Sequence, residues 1–136
     1  MRSYVRTLLV VSFATLLGGT AMAQSKEEIE ATNKAIVQAS FDAWSAGTGS
    51  PFDLLADDAT WTITGRSVAS KTYASKAAFM SEVIRPFNAR MSVGLKPTIR
   101  SIYADDEAVI VFFDASSIAH DGKPYANTYA WFLDNA

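Results

Sequence analysis

Few side chains in this 136-residue chain combine reactive chemistry with a suitable setting. Asp114 follows directly on an apolar run, Val109 to Phe113. A carboxyl there that turns toward a pocket has its pKa raised by desolvation, whereas one that turns away is a hydrated residue where the strand leaves the core. His120 is the only histidine, and the order Ala119-His120-Asp121-Gly122 puts it in a hairpin turn. A catalytic triad needs its base held by an acid from elsewhere in the fold, which a turn neighbour does not supply. From Tyr125 to Leu133, period-two alternation gathers Tyr125, Asn127, Tyr129, Trp131 and Leu133 on one face. One carboxamide among aromatic rings suits a small-molecule site, where few polar groups orient the ligand. The same stripe also suits a packed core or a dimer surface. Ser40, Trp44 and Trp61 are the further candidates to line the same cavity.

Composition removes several chemistries. There is no cysteine, so thiol catalysis, thiolate metal sites and a disulfide framework are absent. One histidine and no HExxH pattern argue against a tightly held metal, and Gly47-Thr48-Gly49-Ser50 is too short, and lacks the lysine, for a phosphate loop. No cofactor is expected. Arg2 and Arg6, the apolar run Leu8 to Leu17 and Ala21-Met22-Ala23 make a cleavable secretory signal over residues 1–23. Gly18-Gly19-Thr20 breaks that run short of the ~20 apolar residues that span a bilayer. The expectation is a periplasmic or secreted domain, residues 24–136, free of the membrane once the signal is cleaved. Without Arg2 and Arg6, 10 of the 12 basic residues remain against 14 acidic, a net charge of −4. An acidic surface of this kind does not neutralise phosphates, so a nucleic-acid partner is not expected.

The elements that must hold these side chains follow from spacing. Ser25 and Glu28 form a capping-box pattern, and Ile29, Ile36, Val37, Phe41 and Trp44 recur at helical spacing until Gly47, predicting one helix over 26–46. Ser50-Pro51 starts a short helix to about Ala56. Trp61 to Thr64 favour a strand, with Lys71 to Tyr73 as a short partner. Ser75 caps a third helix carrying Phe79, Val83 and Ile84, in which Pro86 predicts a kink or break before Phe87 and Met91. After Pro97 the period changes: Thr98 to Tyr103, Ala108 to Ser117 and Tyr125 to Leu133 are strands, joined by turns at Asp105-Asp106 and Asp121-Gly122 into an antiparallel meander. Helices first and strands last give an α+β domain, its helices packed on one face of a curved sheet.

This order of elements, with Leu55-Ala56-Asp57-Asp58-Ala59-Thr60-Trp61-Thr62-Ile63-Thr64-Gly65 after the first helices, resembles the nuclear transport factor 2-like fold. The stretch Asp121-Gly122-Lys123-Pro124-Tyr125-Ala126-Asn127-Thr128-Tyr129-Ala130-Trp131 is similar to its SnoaL-like branch, and the likeness runs over residues 25–133. The resemblance implies a cone-shaped, curved mixed sheet with the long first helix and two shorter helices on its concave side. It also implies a pocket between that helix and the sheet, and often a homodimer through the sheet's outer face. The family holds isomerases, cyclases, epoxide hydrolases, dehydratases and members that only bind or assemble.

Two departures from that pattern matter. Members usually continue into one more strand beside the first, so the expectation here is a domain lacking its last strand. In the ketosteroid isomerase pattern a helix tyrosine and a strand aspartic acid hold an oxyanion while a first-strand aspartate moves the proton. Ser40 stands where that tyrosine would be, and neither Ala59 to Ser70 nor Pro124 to Leu133 carries a carboxylate. The epoxide hydrolase arrangement needs an arginine two residues before its strand aspartate, and Phe112 holds that place before Asp114. The expected function is therefore binding of a small apolar or aromatic molecule by Ser40, Trp44, Trp61, Asn127, Tyr129 and Trp131. The alternatives are a non-catalytic dimerisation or interaction module, and a lyase, isomerase or hydrolase using Asp114 or the Asn127 and Tyr129 pair.

Overall fold

The computed structural model describes residues 22–134, so the export signal expected over 1–23 lies almost wholly outside the described residues. Helix α1 runs Lys26–Ala46. Its start carries both halves of the capping box: the Ser25 hydroxyl accepts from the Glu28 amide, and the Glu28 carboxylate accepts from the Ser25 amide. Its stop is Gly47 at φ +74°, a left-handed conformation that glycine adopts without strain. Val37 and Phe41 are its buried residues, while Ile36, expected in the apolar stripe, is largely exposed.

A 3₁₀ turn, Pro51–Leu54, takes the place of the short second helix, with Ser50 as its cap and Phe52 buried. Strands β1 (Trp61–Thr62) and β2 (Thr72–Tyr73) form a two-residue antiparallel ladder. The third helical stretch begins as α2 (Lys76–Phe79), widens into a π turn (Met80–Ile84) and resumes as α3 (Arg85–Ala89). Pro86 therefore does not break it. In a regular helix the proline ring would collide with the Glu82 carbonyl, and the π turn, closed by the Arg85 amide on the Met80 carbonyl, widens the spacing ahead of it.

Met91 is no helix residue but the first of strand β3 (Met91–Asp105), which pairs antiparallel with β4 (Ala108–Ala119), and β4 with β5 (Pro124–Leu133). Every described strand pair is antiparallel, in place of the mixed sheet expected: short turns join β3 to β4 and β4 to β5, and a longer loop returns β1 to β2. Strand β3 therefore begins well before Pro97. That proline sits in an edge strand, where an N–H directed outward is not missed.

Strand β3 uses 15 residues against 12 in β4, and its register shifts three times. At the last shift Ile99 opposes Phe113 and Ser101 opposes Phe112, leaving Arg100 as the extra residue of a bulge. The pairing of β4 with β5 is unshifted throughout. Alternation then sorts the sheet: Val109, Val111, Phe113 and Ala115 are buried under α1, which packs across β3 and β4. A second cluster, Phe52, Tyr73 and Phe79, closes over Trp61, and Trp131 touches both clusters.

Candidate functional site

Four of the six expected ligand residues meet in one place. Trp44 from α1 stacks on Trp131 from β5 at 5.8 Å between ring centroids and 18° between planes. Trp61 from β1 sets its edge on Trp131 at 5.0 Å and stacks on Phe79 at 4.5 Å. Tyr129 lies against Phe113 at 5.1 Å and approaches Trp131 at 6.3 Å. These rings fill the interior by packing on each other in the offset and edge-on arrangements that aromatic quadrupoles prefer.

The other two point elsewhere. The Ser40 hydroxyl donates to the Val37 carbonyl one turn back in its own helix at 2.7 Å, the usual outlet for a helical serine. Asn127 is exposed at the rim of the inner face, its side-chain oxygen accepting from the Thr128 amide at 2.9 Å.

Open space begins beside Trp44. A cleft of about 500 Å³ lies between the end of α1, Asn88 and the start of β3, with Gly47, Gly49, Met91 and Leu95 among its walls. Trp44 thus belongs to the packed rings on one side and to the cleft on the other.

Asp114 lies across the sheet from these residues. Its chain neighbours Phe113 and Ala115 are buried in the core, so alternation turns Asp114 to the outer face, while Asn127, which pairs with Ala115, faces inward. Arg100 Nε donates to Asp114 Oδ2 at 2.7 Å and Thr128 Oγ1 donates to Oδ1 at 2.6 Å. Both partners favour the carboxylate, Thr128 most, and hold its pKa below the ordinary value. The raised pKa of a pocket acid is therefore not what its surroundings produce. Arg100 is the functional group that alternation alone misses, because the bulge, which no residue type announces, turns it outward. Its guanidinium also lies over the Phe112 ring at 5.2 Å. Asp114 and Thr128 themselves line a shallow groove of about 440 Å³, together with Lys96, Thr98, Ser116 and Asn127. His120 is exposed in the turn between β4 and β5, its amide donating to the Arg90 carbonyl.

Tyr125 is a further inner-face residue. Its hydroxyl lies 2.5 Å from that of Tyr129, and its ring meets Phe87 edge-on at 5.1 Å. Burial, with help from this phenol contact, pushes the Tyr129 pKa up to about 12, and Asn127 opposes the shift.

No family model matches the chain, and neither does any curated protein. Solved structures do. The chain is similar to an NTF2-like protein from Anabaena variabilis, with a TM-score of 0.60 at 17% identity, over 87% of each chain. It is similar to an LEH-like epoxide hydrolase from M. tuberculosis, with a TM-score of 0.56 at 18% identity, over 83% of this chain and 74% of that one. It is also similar to TerC, co-crystallised with polyporic acid, with a TM-score of 0.58 at 14% identity, over 76% of this chain and 82% of that one. At these identities the likeness carries the architecture and no activity: the long helix, the short β1–β2 ladder and the three-stranded meander make an NTF2-like fold.

Proposed function

We propose that the chain is an exported small-molecule-binding domain of the SnoaL-like branch, with a cone-type pocket for an apolar or aromatic ligand entered beside Trp44. The observation that carries this reading is the junction at Trp44 between the ring cluster and the open cleft. A ligand there would exchange solvent for aromatic surface, the main source of affinity in such sites. Native mass spectrometry of the protein purified from its own host is the test. A retained small molecule, lost in Trp44→Ala, is expected. A protein that emerges empty and shows no tryptophan fluorescence change with aromatic probes would overturn the reading. N-terminal sequencing of the exported form tests export, with Gln24 expected first.

Ketosteroid isomerisation is not part of this proposal. It requires a base beside a carbonyl and donors on the enolate oxygen acting together in a dry site. Asp114, the one carboxylate on an apolar strand run, faces the other side of the sheet and is engaged by Arg100 and Thr128. Turnover of an unconjugated enone precursor that vanished in Asp114→Asn would refute this.

A second reading has its own observation. The outer face exposes Tyr103 (61%) and Phe132 (76%) on either side of Ile110, and carries Arg100 and Asp114 further along the same strands, a mixed apolar and charged surface suited to a homodimer.

A further inference from the structure

Tyr125 and Tyr129 stand four residues apart on β5, a distance of roughly 13 Å along a strand. Their hydroxyls are nonetheless in contact at 2.5 Å, so the two side chains lean toward each other over Asn127, which lies between them on the same face. Each ring is held from its far side, Tyr125 by Phe87 and Tyr129 by Phe113. The arch is open on top: Asn127 is exposed and Tyr125 is only partly buried.

Hydrogen counting gives the arch a direction. Two phenols carry two hydroxyl protons, and the bond between them uses one, whichever oxygen donates. Among the described residues neither hydroxyl has another acceptor. The Asn127 side-chain oxygen is engaged by the Thr128 amide at 2.9 Å and bonds neither hydroxyl. One O–H therefore remains, backed by the second phenol, with aromatic rings on either side.

We infer that Tyr125 and Tyr129 form a hydrogen-bond-donating subsite for the carbonyl oxygen of a flat, conjugated ligand, with Asn127 at its base. The inference rests on the binding reading above and adds the ligand's chemical class. An uncharged oxygen is specified because the arch offers neutral donors only, two phenols and an amide, and no cation of its own. The ring of such a ligand would lie along Phe87, which is only partly buried where it meets Tyr125.

Two probes of one shape decide the matter: acetylnaphthalene, which has the carbonyl, and ethylnaphthalene, which lacks it. Tryptophan fluorescence titration of the full chain should show acetylnaphthalene binding about tenfold more tightly, the usual worth of one well-made hydrogen bond in a partly buried site. Tyr125→Phe and Tyr129→Phe keep the rings. Together they should bring the ratio to about one without abolishing binding, and Tyr125→Phe alone should lower it. A ratio of about one in the unaltered protein, or a preference that survives the double variant, overturns the subsite and leaves the binding reading standing. If neither probe binds, both fall.

Discussion

Tyr129 is half enclosed by Phe113 and Trp131, and its phenolate would lose hydration that its neighbours do not replace. The group thus holds its proton up to about pH 12, whereas an unfolded tyrosine releases it near pH 10. A pKa raised by folding contributes stability that is complete below the unfolded value and lost as pH rises through the folded one. Melting temperature should therefore fall between about pH 10 and 12, and Tyr129→Phe should flatten that fall. A slope unchanged in the variant would place the alkaline loss elsewhere. The aromatic identity of this site was legible in sequence, since alternation from Tyr125 to Leu133 is unbroken and β5 pairs without a shift. The destinations of Ser40 and Asn127 were not, because a helical hydroxyl takes its nearest carbonyl and a rim carboxamide takes the adjacent amide whatever lies across the sheet.

At the scale of elements, local chemistry was read well where it closes on itself. Both ends of α1 follow from Ser25, Glu28 and Gly47, residues whose partners lie within a turn. Ser25→Ala should cost about 1 kcal/mol, typical for a lost N-cap. It should also loosen the link from Lys26 to Asp105 at 2.6 Å, which ties the first turn of α1 to the β3–β4 turn. Denaturant unfolding measures the cost; no change in midpoint would mean that this link holds the helix start without its cap. Misreadings arose where one pattern fits two periods. Phe87 and Met91 stand at helical spacing, yet the helix ends at Ala89 and the strand begins at Met91. Pro86 reads as a breaker in any single-turn argument, and only a wider turn before it lets the helical course continue.

For the molecule as a whole, Trp131 joins what would otherwise be two cores. Its ring meets Phe41, Trp44, Phe52, Trp61 and Phe113 within 6 Å, drawing on the long helix, the 3₁₀ turn, β1 and the sheet. Trp131→Ala should cost about 3–5 kcal/mol, in the range for large aromatic truncations. It should lower the unfolding midpoint far more than Ser25→Ala does. On the other side of the sheet, Phe132 is 76% exposed, so Phe132→Glu leaves the fold intact while placing a charge in the proposed dimer surface. Sedimentation should show a dimer converted to monomer. A monomer before the substitution would dispose of the dimer reading. That the sheet has an aromatic face was visible in the alternation of β5; the apolar run Val109 to Phe113 of β4 showed no sides, and which charged groups share the outer face was not legible.

The reason lies in the bulge between Ile99 and Ser101, where two residues of β3 oppose one of β4. A strand alternates with a parity, and an extra residue inverts it. Counted back from the turn at Asp105 without allowance for the bulge, Arg100 would face Phe113 in the core and Ile99 would face Asp114. Spacing and bulge together set the sidedness of everything before Ile102, and no single side chain in the gap does. Removing Ser101 should therefore abolish the bulge and not the sidedness: Arg100 would take the place opposite Phe112 on the outer face, Ile99 would still meet Phe113, and soluble yield should survive. Ser101→Thr, which keeps the count, should leave yield and melting temperature nearly unchanged. In this strand sidedness is a matter of counting: two residues stand between Ile99 and Ile102 where unbroken alternation allows one, and the bulge absorbs the difference.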